Sequence, residues 1–246
     1  MKKHIPNLFT LGNLFCGIIA TIFAVNSNFR FAALFVVCGI FLDFLDGFLA
    51  RLLKVSGELG KQLDSLADMV TSGVVPGIVM FKLMELNLYN EPGIDYLYKL
   101  SSFFHLHLIG LVLTLGACYR LAKFNLDTRQ SDSFIGLPTP AMCLFVISLP
   151  IILENADNNL DLVNDLVGNN YFLIIITLAL TYLMNAEIPL FSLKFKDYSL
   201  KNNFIIYLFL ISCIILVFSL YYISIPIIII IYIILSIIQN LTPKIK

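Results

Sequence analysis

Asp43-Phe-Leu-Asp46-Gly47-Phe-Leu-Ala50-Arg51, then eight residues, then Gly60-Lys-Gln-Leu-Asp64-Ser-Leu-Ala-Asp68, sets four carboxylates at the edges of two apolar stretches. The stretch before is 31–49 and the one after is 66–84, each close to the ~20 residues that cross a bilayer as a helix. A carboxylate at membrane depth costs roughly 2.5–3.5 kcal/mol even on lenient insertion scales. Asp43 and Asp46 are three residues apart, and Asp64 and Asp68 four, so each pair shares one helix face. The link 51–63 is short enough for the two helices to be antiparallel neighbours. Their adjoining ends then bring all four acids together, a placement apolar packing does not explain.

Four carboxylates without a cation repel one another, whereas oxygen ligands in that number suit Mg²⁺ or Mn²⁺. Gly47 lies one turn after Asp43 and Ala50 one turn after Asp46, so that face is open to a large polar ligand. Gly57 and Gly60 keep the link equally open, and Arg51 supplies a cation suited to phosphate.

The whole chain agrees with a membrane setting. Of 246 residues, 59% are hydrophobic and 13% charged, with mean hydropathy +0.90. A soluble domain carries about 25% charged residues. Net charge is zero, so no basic field points to nucleic acid. The cysteines Cys16, Cys38, Cys118, Cys143 and Cys213 lie in apolar segments without metal-site spacing, and are expected to pack as buried free thiols.

Apolar segments run over 8–25, 31–49, 66–84, 103–117, 134–153, 171–184, 204–219 and 221–238, the last two weakly separated around Tyr221–Pro226. The prediction is an all-α, polytopic transmembrane helical bundle of about eight spans, one integral membrane domain over 1–246. Met1-Lys2-Lys3 ahead of an apolar run is similar to a signal peptide. No small-x-small cleavage site follows, so an uncleaved first span is expected. With the amino terminus inside, thirteen Lys and Arg fall on the cytoplasmic side and three (Arg30, Lys82, Lys99) on the other. That bias predicts both termini, and the acids, on the cytoplasmic face of the cell membrane. The stretch 154–165, with four acids and no base, suits the outer side.

The motif at 43–68 fits the signature DxxDGxxAR, seven or eight residues, then GxxxDxxxD, and so resembles the CDP-alcohol phosphotransferase family. The resemblance implies a six-helix catalytic core, here about 5–190, with two further spans at 203–240. It implies two divalent ions, Mg²⁺ or Mn²⁺: Asp43, Asp46 and Asp64 hold one, Asp43, Asp64 and Asp68 the other, with Asp68 as general base. It places Gly47, Arg51 and Gly60 against the CDP-diacylglycerol donor, with Asn7 and Thr10 of Pro6-Asn7-Leu-Phe-Thr10 closing over the cytidine. Ser56-Gly57 stands near the family's usual small hydroxyl position. Homodimers are usual in the family.

Arg120-Leu-Ala-Lys123-Phe-Asn125 and Phe134-Ile-Gly136-Leu-Pro138-Thr-Pro140-Ala141 resemble the branch that makes phosphatidylserine, although Lys123 stands where Arg is common. That branch implies transfer of the phosphatidyl group to the L-serine hydroxyl with release of CMP. Arg120 and Asn125 are then candidates to read the serine carboxylate, against a purely topogenic role for Arg120, Lys123 and Arg129. Another phosphatidyl-alcohol synthase, such as one making phosphatidylglycerophosphate, is the alternative acceptor reading. A cation transporter is the alternative class, but it would place acids near the midplane, often in inverted repeats. His105 and His107 diverge on a helix, Glu187 marks a helix end, and the Asn240-Leu-Thr242 sequon falls on the cytoplasmic side.

Overall fold

The computed structural model describes residues 4–55, 57–90, 106–127, 134–155, 161–191 and 203–241. Each predicted apolar stretch is helical over most of its described length. The first two are α1 (His4–Val25) and α2 (Phe29–Leu53), an antiparallel hairpin. Ser27 turns the chain at φ 58°, and the Asn28 side chain accepts from the Phe31 N–H to cap α2. Phe23 then stacks on Phe31 and Phe35, with ring centroids 5.3 and 5.7 Å apart. At Gly39 the helices touch: a Cβ there would lie 2.8 Å from Asn13 Oδ1.

Helix α2 has 25 residues, about 37 Å, which exceeds a ~30 Å hydrocarbon layer. Its last turns, with Asp43 to Arg51, therefore reach the interface. The helix stops at Lys54 in the left-handed conformation (φ 53°, ψ 42°), whose N–H caps the Ala50 and Arg51 carbonyls.

The third span is longer than predicted, 58–88 rather than 66–84, because Glu58 and the acids continue the helix beyond its apolar part. It is divided into α3 (Glu58–Asp68), a π turn at Met69–Val74, and α4 (Val75–Asn90). Two carbonyls of the π turn gain outside donors: Cys143 Sγ to Thr71 O at 3.5 Å, and Thr114 Oγ1 to Gly73 O at 2.9 Å. A 3₁₀ turn at His107–Leu111 leads into α5 (Val112–Leu126).

The fifth span begins later than predicted. Phe134–Ile135 forms a short strand, β1, and helix α6 is Thr139–Glu154. Strand β1 pairs antiparallel with β2 (Pro189–Leu190), a minor β addition to the predicted all-α fold. Gly136, at φ 75°, turns the chain from strand to helix beneath the Met184 and Ala186 carbonyls, where a side chain has no room. Helix α6 is the hub: ten of its sixteen residues are buried, against Met80, Met84, Leu113 and Leu173.

Next come α7 (Asp161–Gly168) and α8 (Asn170–Asn185), bent by 76° across Asn169. The stretch Ile205–Asn240 spans 36 residues, about 54 Å if straight, far more than a bilayer needs. Tyr221, at φ 47°, reverses it into α9 (Phe204–Leu220) and α10 (Ser224–Leu241). Ile206, Phe209 and Cys213 of α9 pack on Leu235, Tyr232 and Ile228 of α10 in one cluster. Phe209 and Tyr232 bring their ring centroids within 5.7 Å of each other, so the weak separation at 221–226 is a real reversal.

Among the described residues, and with Ile205–Asn240 taken as one, five stretches are long and apolar enough to cross a membrane, or six with the bent pair; Thr139–Glu154 is shorter but apolar. Outward residues such as Phe15, Leu115, Ile175 and Phe218 are exposed and apolar, as lipid contact requires. The chain is a multi-pass membrane protein. Of the thiols, Cys143 is buried as expected, but Cys38 and Cys118 are exposed on outward helix faces. Lys99, His105, Arg129 and positions 156–160 lie outside the described residues.

Bonds between helices sort the two ends of the bundle. At one end Arg30 pairs with Glu154 (2.6 Å) and Asn170 Nδ2 donates to Met84 O (3.0 Å). At the other, Lys61 Nζ donates to Asn125 O (2.8 Å), Lys123 pairs with Glu187 (3.4 Å) and Asn240 Nδ2 donates to Pro189 O (2.5 Å). The four aspartates lie at this second end.

Candidate active site

The carboxylates converge as the helical spacing predicts, but not as an equal foursome. Asp43 on α2 and Asp64 and Asp68 on α3 each offer an oxygen within 4.8 Å of the other two. Oxygens bound to one Mg²⁺ or Ca²⁺-sized ion at about 2.0–2.6 Å lie no further apart than about twice that. All three side chains are half-buried and none has an ion-pair partner among the described residues. Geometry and charge together fit a divalent cation.

Asp46 is turned away from this trio. Its Oδ2 accepts from Thr10 Oγ1 at 2.5 Å, and Thr10 also lies 3.2 Å from the Pro6 carbonyl. Both Asp46 and Thr10 are buried. Thr10 therefore fastens α1 to α2 at the acid-bearing end.

Asn13, one turn further along α1, was not anticipated from the sequence. It is wholly buried, and its Nδ2 donates to Asp68 Oδ1 at 3.1 Å. Its carbonyl accepts from Thr71 Oγ1 at 3.1 Å, which fastens α1 to the π turn. The signal was present: Asn7, Thr10 and Asn13 recur every three residues in an apolar span, and polar groups there need partners.

Two cavities open on either side of the acids, and Asp46, Gly47 and Asp64 line both. The first, about 250 Å³, is walled by Pro6, Asn7, Thr10, Gly57, Gly60 and Lys61. Nothing lies within 4 Å of a Cβ placed on Gly57, and a Cβ on Gly47 would meet only Arg51 Nη1 at 3.9 Å. Of the predicted donor residues, Asn7, Thr10, Gly47 and Gly60 are thus gathered around one open space, whereas Arg51 lines the second cavity instead. Ser56 lies outside the described residues.

The second cavity, about 470 Å³, is lined by Asp43, Arg51, Ser65, Asp68, Arg120, Phe124 and the Pro138-Thr139-Pro140 start of α6. Arg120 is 7% exposed, its Nε has no hydrogen-bond partner, and its guanidinium carbon sits 5.9 Å from the centre of the Phe124 ring. Asp68 is a carboxylate that interacts with this buried cation, and the free Nε leaves it able to take a further anion. Asn125 is outside that lining. Its Nδ2 donates to Ser65 Oγ at 2.9 Å, so it reaches the cavity only through Ser65.

His107 and Glu187, the other polar residues singled out in the sequence, have structural partners. His107 packs edge-on against Phe81, ring centroids 4.6 Å apart, and Glu187 holds Lys123.

Comparison with known proteins gives this geometry a context. The CDP-alcohol phosphatidyltransferase family profile matches residues 3–184. The CDP-diacylglycerol–serine O-phosphatidyltransferase of Bacillus subtilis is 36% identical over 156 residues, 61% of this chain and 80% of that protein. The enzyme of the same name from Helicobacter pylori strain 26695 is 30% identical over 210 residues, 83% of this chain and 79% of its own length. The archaetidylserine synthase of Methanothermobacter thermautotrophicus is 26% identical over 147 residues, 58% of this chain and 56% of its own. With a carboxylate trio between two cavities and a match over most of its length, the chain belongs to the CDP-alcohol phosphatidyltransferase family.

Proposed function

We propose that the protein transfers the phosphatidyl group of CDP-diacylglycerol to the hydroxyl of L-serine, giving phosphatidylserine and CMP. The observation that carries this is the pair of cavities sharing one acidic wall, with Arg120 buried and its Nε free in the second. The relatives' names support the acceptor: they differ in lipid but have serine in common.

Asp43, Asp64 and Asp68, with Asp46 beside them, would hold two divalent ions, Mg²⁺ or Mn²⁺. Bound there, such ions neutralise the donor's diphosphate and stabilise charge on attacking and leaving oxygens. The chain's own groups do the rest. Asn7, Thr10, Gly47 and Gly60 form the wall for the cytidine end of the donor, and Arg51 pairs with its phosphates. Arg120 pairs with the serine carboxylate, and Asn125 supports that side through Ser65. The serine oxygen forms a bond to the phosphorus bearing the diacylglycerol. The bond from that phosphorus to CMP breaks, its electron pair leaves with CMP, and the serine hydroxyl proton passes to Asp68. Attack and departure then face each other across the acids.

The basic residues at the acid-bearing end, against Arg30 and Lys82 at the other, support an active site and both termini on the cytoplasmic side. Residues 5–190 form the catalytic core. The two C-terminal helices brace it through Tyr232, whose hydroxyl donates to Phe191 O at 2.9 Å. A homodimer is proposed on family analogy.

The test incubates purified protein, CDP-diacylglycerol and Mn²⁺ with competing serine, glycerol 3-phosphate and inositol. Phosphatidylserine as the dominant product is expected; another phosphatidyl alcohol in its place would reassign the acceptor.

A further inference from the structure

We propose that the acceptor's carboxylate is held between Arg120 and the uncapped first turn of α6, with Thr139 as the second residue that selects an amino-acid acceptor. This rests on the reading of serine as substrate, and it names the other half of the subsite.

Helix α6 opens Pro138-Thr139-Pro140-Ala141, and no side chain caps its first turn. The first intrahelical bond is Met142 N–H to the Pro138 carbonyl, at 3.1 Å. The N–H groups ahead of it therefore have no acceptor within the helix. Prolines at 138 and 140 carry no N–H, so the donors of this turn reduce to those of Thr139 and Ala141. With the Thr139 hydroxyl, that makes a compact set facing the positive end of a sixteen-residue helix dipole.

The turn lies on the wall of the cavity that holds Arg120. Thr139 and Pro140 line that cavity together with the guanidinium, which is buried and lacks a partner on Nε. Thr139 is 1% exposed, so its hydroxyl is held in place. The position of the turn is fixed from behind: Gly136 N–H donates to Ile188 O and Leu137 N–H to Leu183 O, both at 2.9 Å. A buried guanidinium with a free Nε and an uncapped helix start on one wall are complementary to a small, planar, bidentate anion. A carboxylate on the acceptor fits. Inositol presents no anion, and glycerol 3-phosphate presents a tetrahedral phosphate in place of a planar carboxylate.

The experiment compares wild type with Thr139→Val, Thr139→Ser and Ala141→Pro, the last sterically tolerated in a helix's first turn. Each is assayed for the KM of serine, the KM of CDP-diacylglycerol, and inhibition by ethanolamine, which is serine without its carboxylate. Thr139→Val should raise the serine KM about 10-fold or more, as loss of a hydrogen bond to a charged group does. The donor KM and the ethanolamine inhibition constant should stay put. Thr139→Ser should restore the serine KM, and Ala141→Pro should raise it while sparing the other two, which keeps the test alive if Thr139→Val does not fold. An unchanged serine KM in folded Thr139→Val and Ala141→Pro overturns the proposal, as does an equal shift for serine and ethanolamine. Wild type that makes no phosphatidylserine instead removes the serine reading itself, a result visible before any variant is tested.

Discussion

Asn13 reaches from the middle of α1 to Asp68 on α3, Nδ2 to Oδ1 at 3.1 Å, and is itself wholly buried. The contact leaves the other Asp68 oxygen for the site while fixing the carboxylate's rotation. Asn13→Ala should therefore lower kcat about 10- to 150-fold, the equivalent of a ~1.5–3 kcal/mol hydrogen bond to a charged group. Both substrates' KM values should hardly change. A purely structural role for Asn13 predicts loss of folded protein with normal kcat in the remainder. Steady-state kinetics on the monodisperse fraction separates the two.

Asp43 and Asp64 sit inside the carboxylate trio, whereas Asp46 is bonded to Thr10. Asp43→Asn or Asp64→Asn should abolish activity in protein that still inserts. Asp46→Asn should be partly rescued by excess Mn²⁺. Activity measured across a Mn²⁺ titration checks both, and full activity of Asp43→Asn at ordinary Mn²⁺ would remove the shared-ligand assignment.

Arg120→Ala should weaken apparent serine affinity about 10- to 150-fold, by loss of a charge-assisted contact. The donor constant should barely move, since the proposed donor contacts Asn7, Thr10 and Gly60 line the other cavity. Arg120→Lys should recover only part, because Lys lacks the planar fork. A topogenic role predicts that Lys serves as well as Arg, which varying each substrate in turn will reveal.

Gly136→Ala should destabilise the protein. A non-glycine residue at positive φ costs about 1–2 kcal/mol, and the new Cβ would sit 3.0 Å from Ala186 O. A fall in Tm of several degrees in detergent is expected, with a larger rise in serine KM than in donor KM, since the α6 start moves with it.

For orientation, single cysteines at 58 and 158 in a cysteine-free background should label from opposite sides of the membrane. Labelling of both from the periplasmic face would overturn the cytoplasmic site.

The sequence made the site legible because acids in apolar helices have few innocent explanations. Asp43, Asp46, Asp64 and Asp68 could be paired by spacing alone, and Asn7, Thr10, Gly47 and Gly60, expected to meet the donor, line one cavity, with Arg51 on the other. The split between the trio and Asp46 was hidden, because it depends on Thr10 arriving from α1. The late start of α6 was hidden too: 134–153 is apolar throughout, and only the pairing of Phe134–Ile135 with Pro189–Leu190 shows that its first residues are strand. Hydropathy likewise could not see the π turn, since Met69–Val74 is as apolar as its flanks. Asn13 was readable and was missed; a buried amide amid Leu, Phe and Cys asks what it bonds.

The π turn at Met69–Val74 works as a phase adjuster between two halves of one long helix. Each α-helical residue advances the side-chain direction by about 100°, and a π turn takes up one residue more than an α turn. The face bearing Asp64 and Asp68 is thereby set independently of the face by which Val79, Met80 and Leu83 enter the core. Inserting one further residue here, beyond the one the π turn already absorbs, would leave every span apolar and correctly oriented, yet swing the acids by about 100° off Asp43 and Asn13. Residue count in this segment is thus as much a part of the catalytic machinery as residue identity.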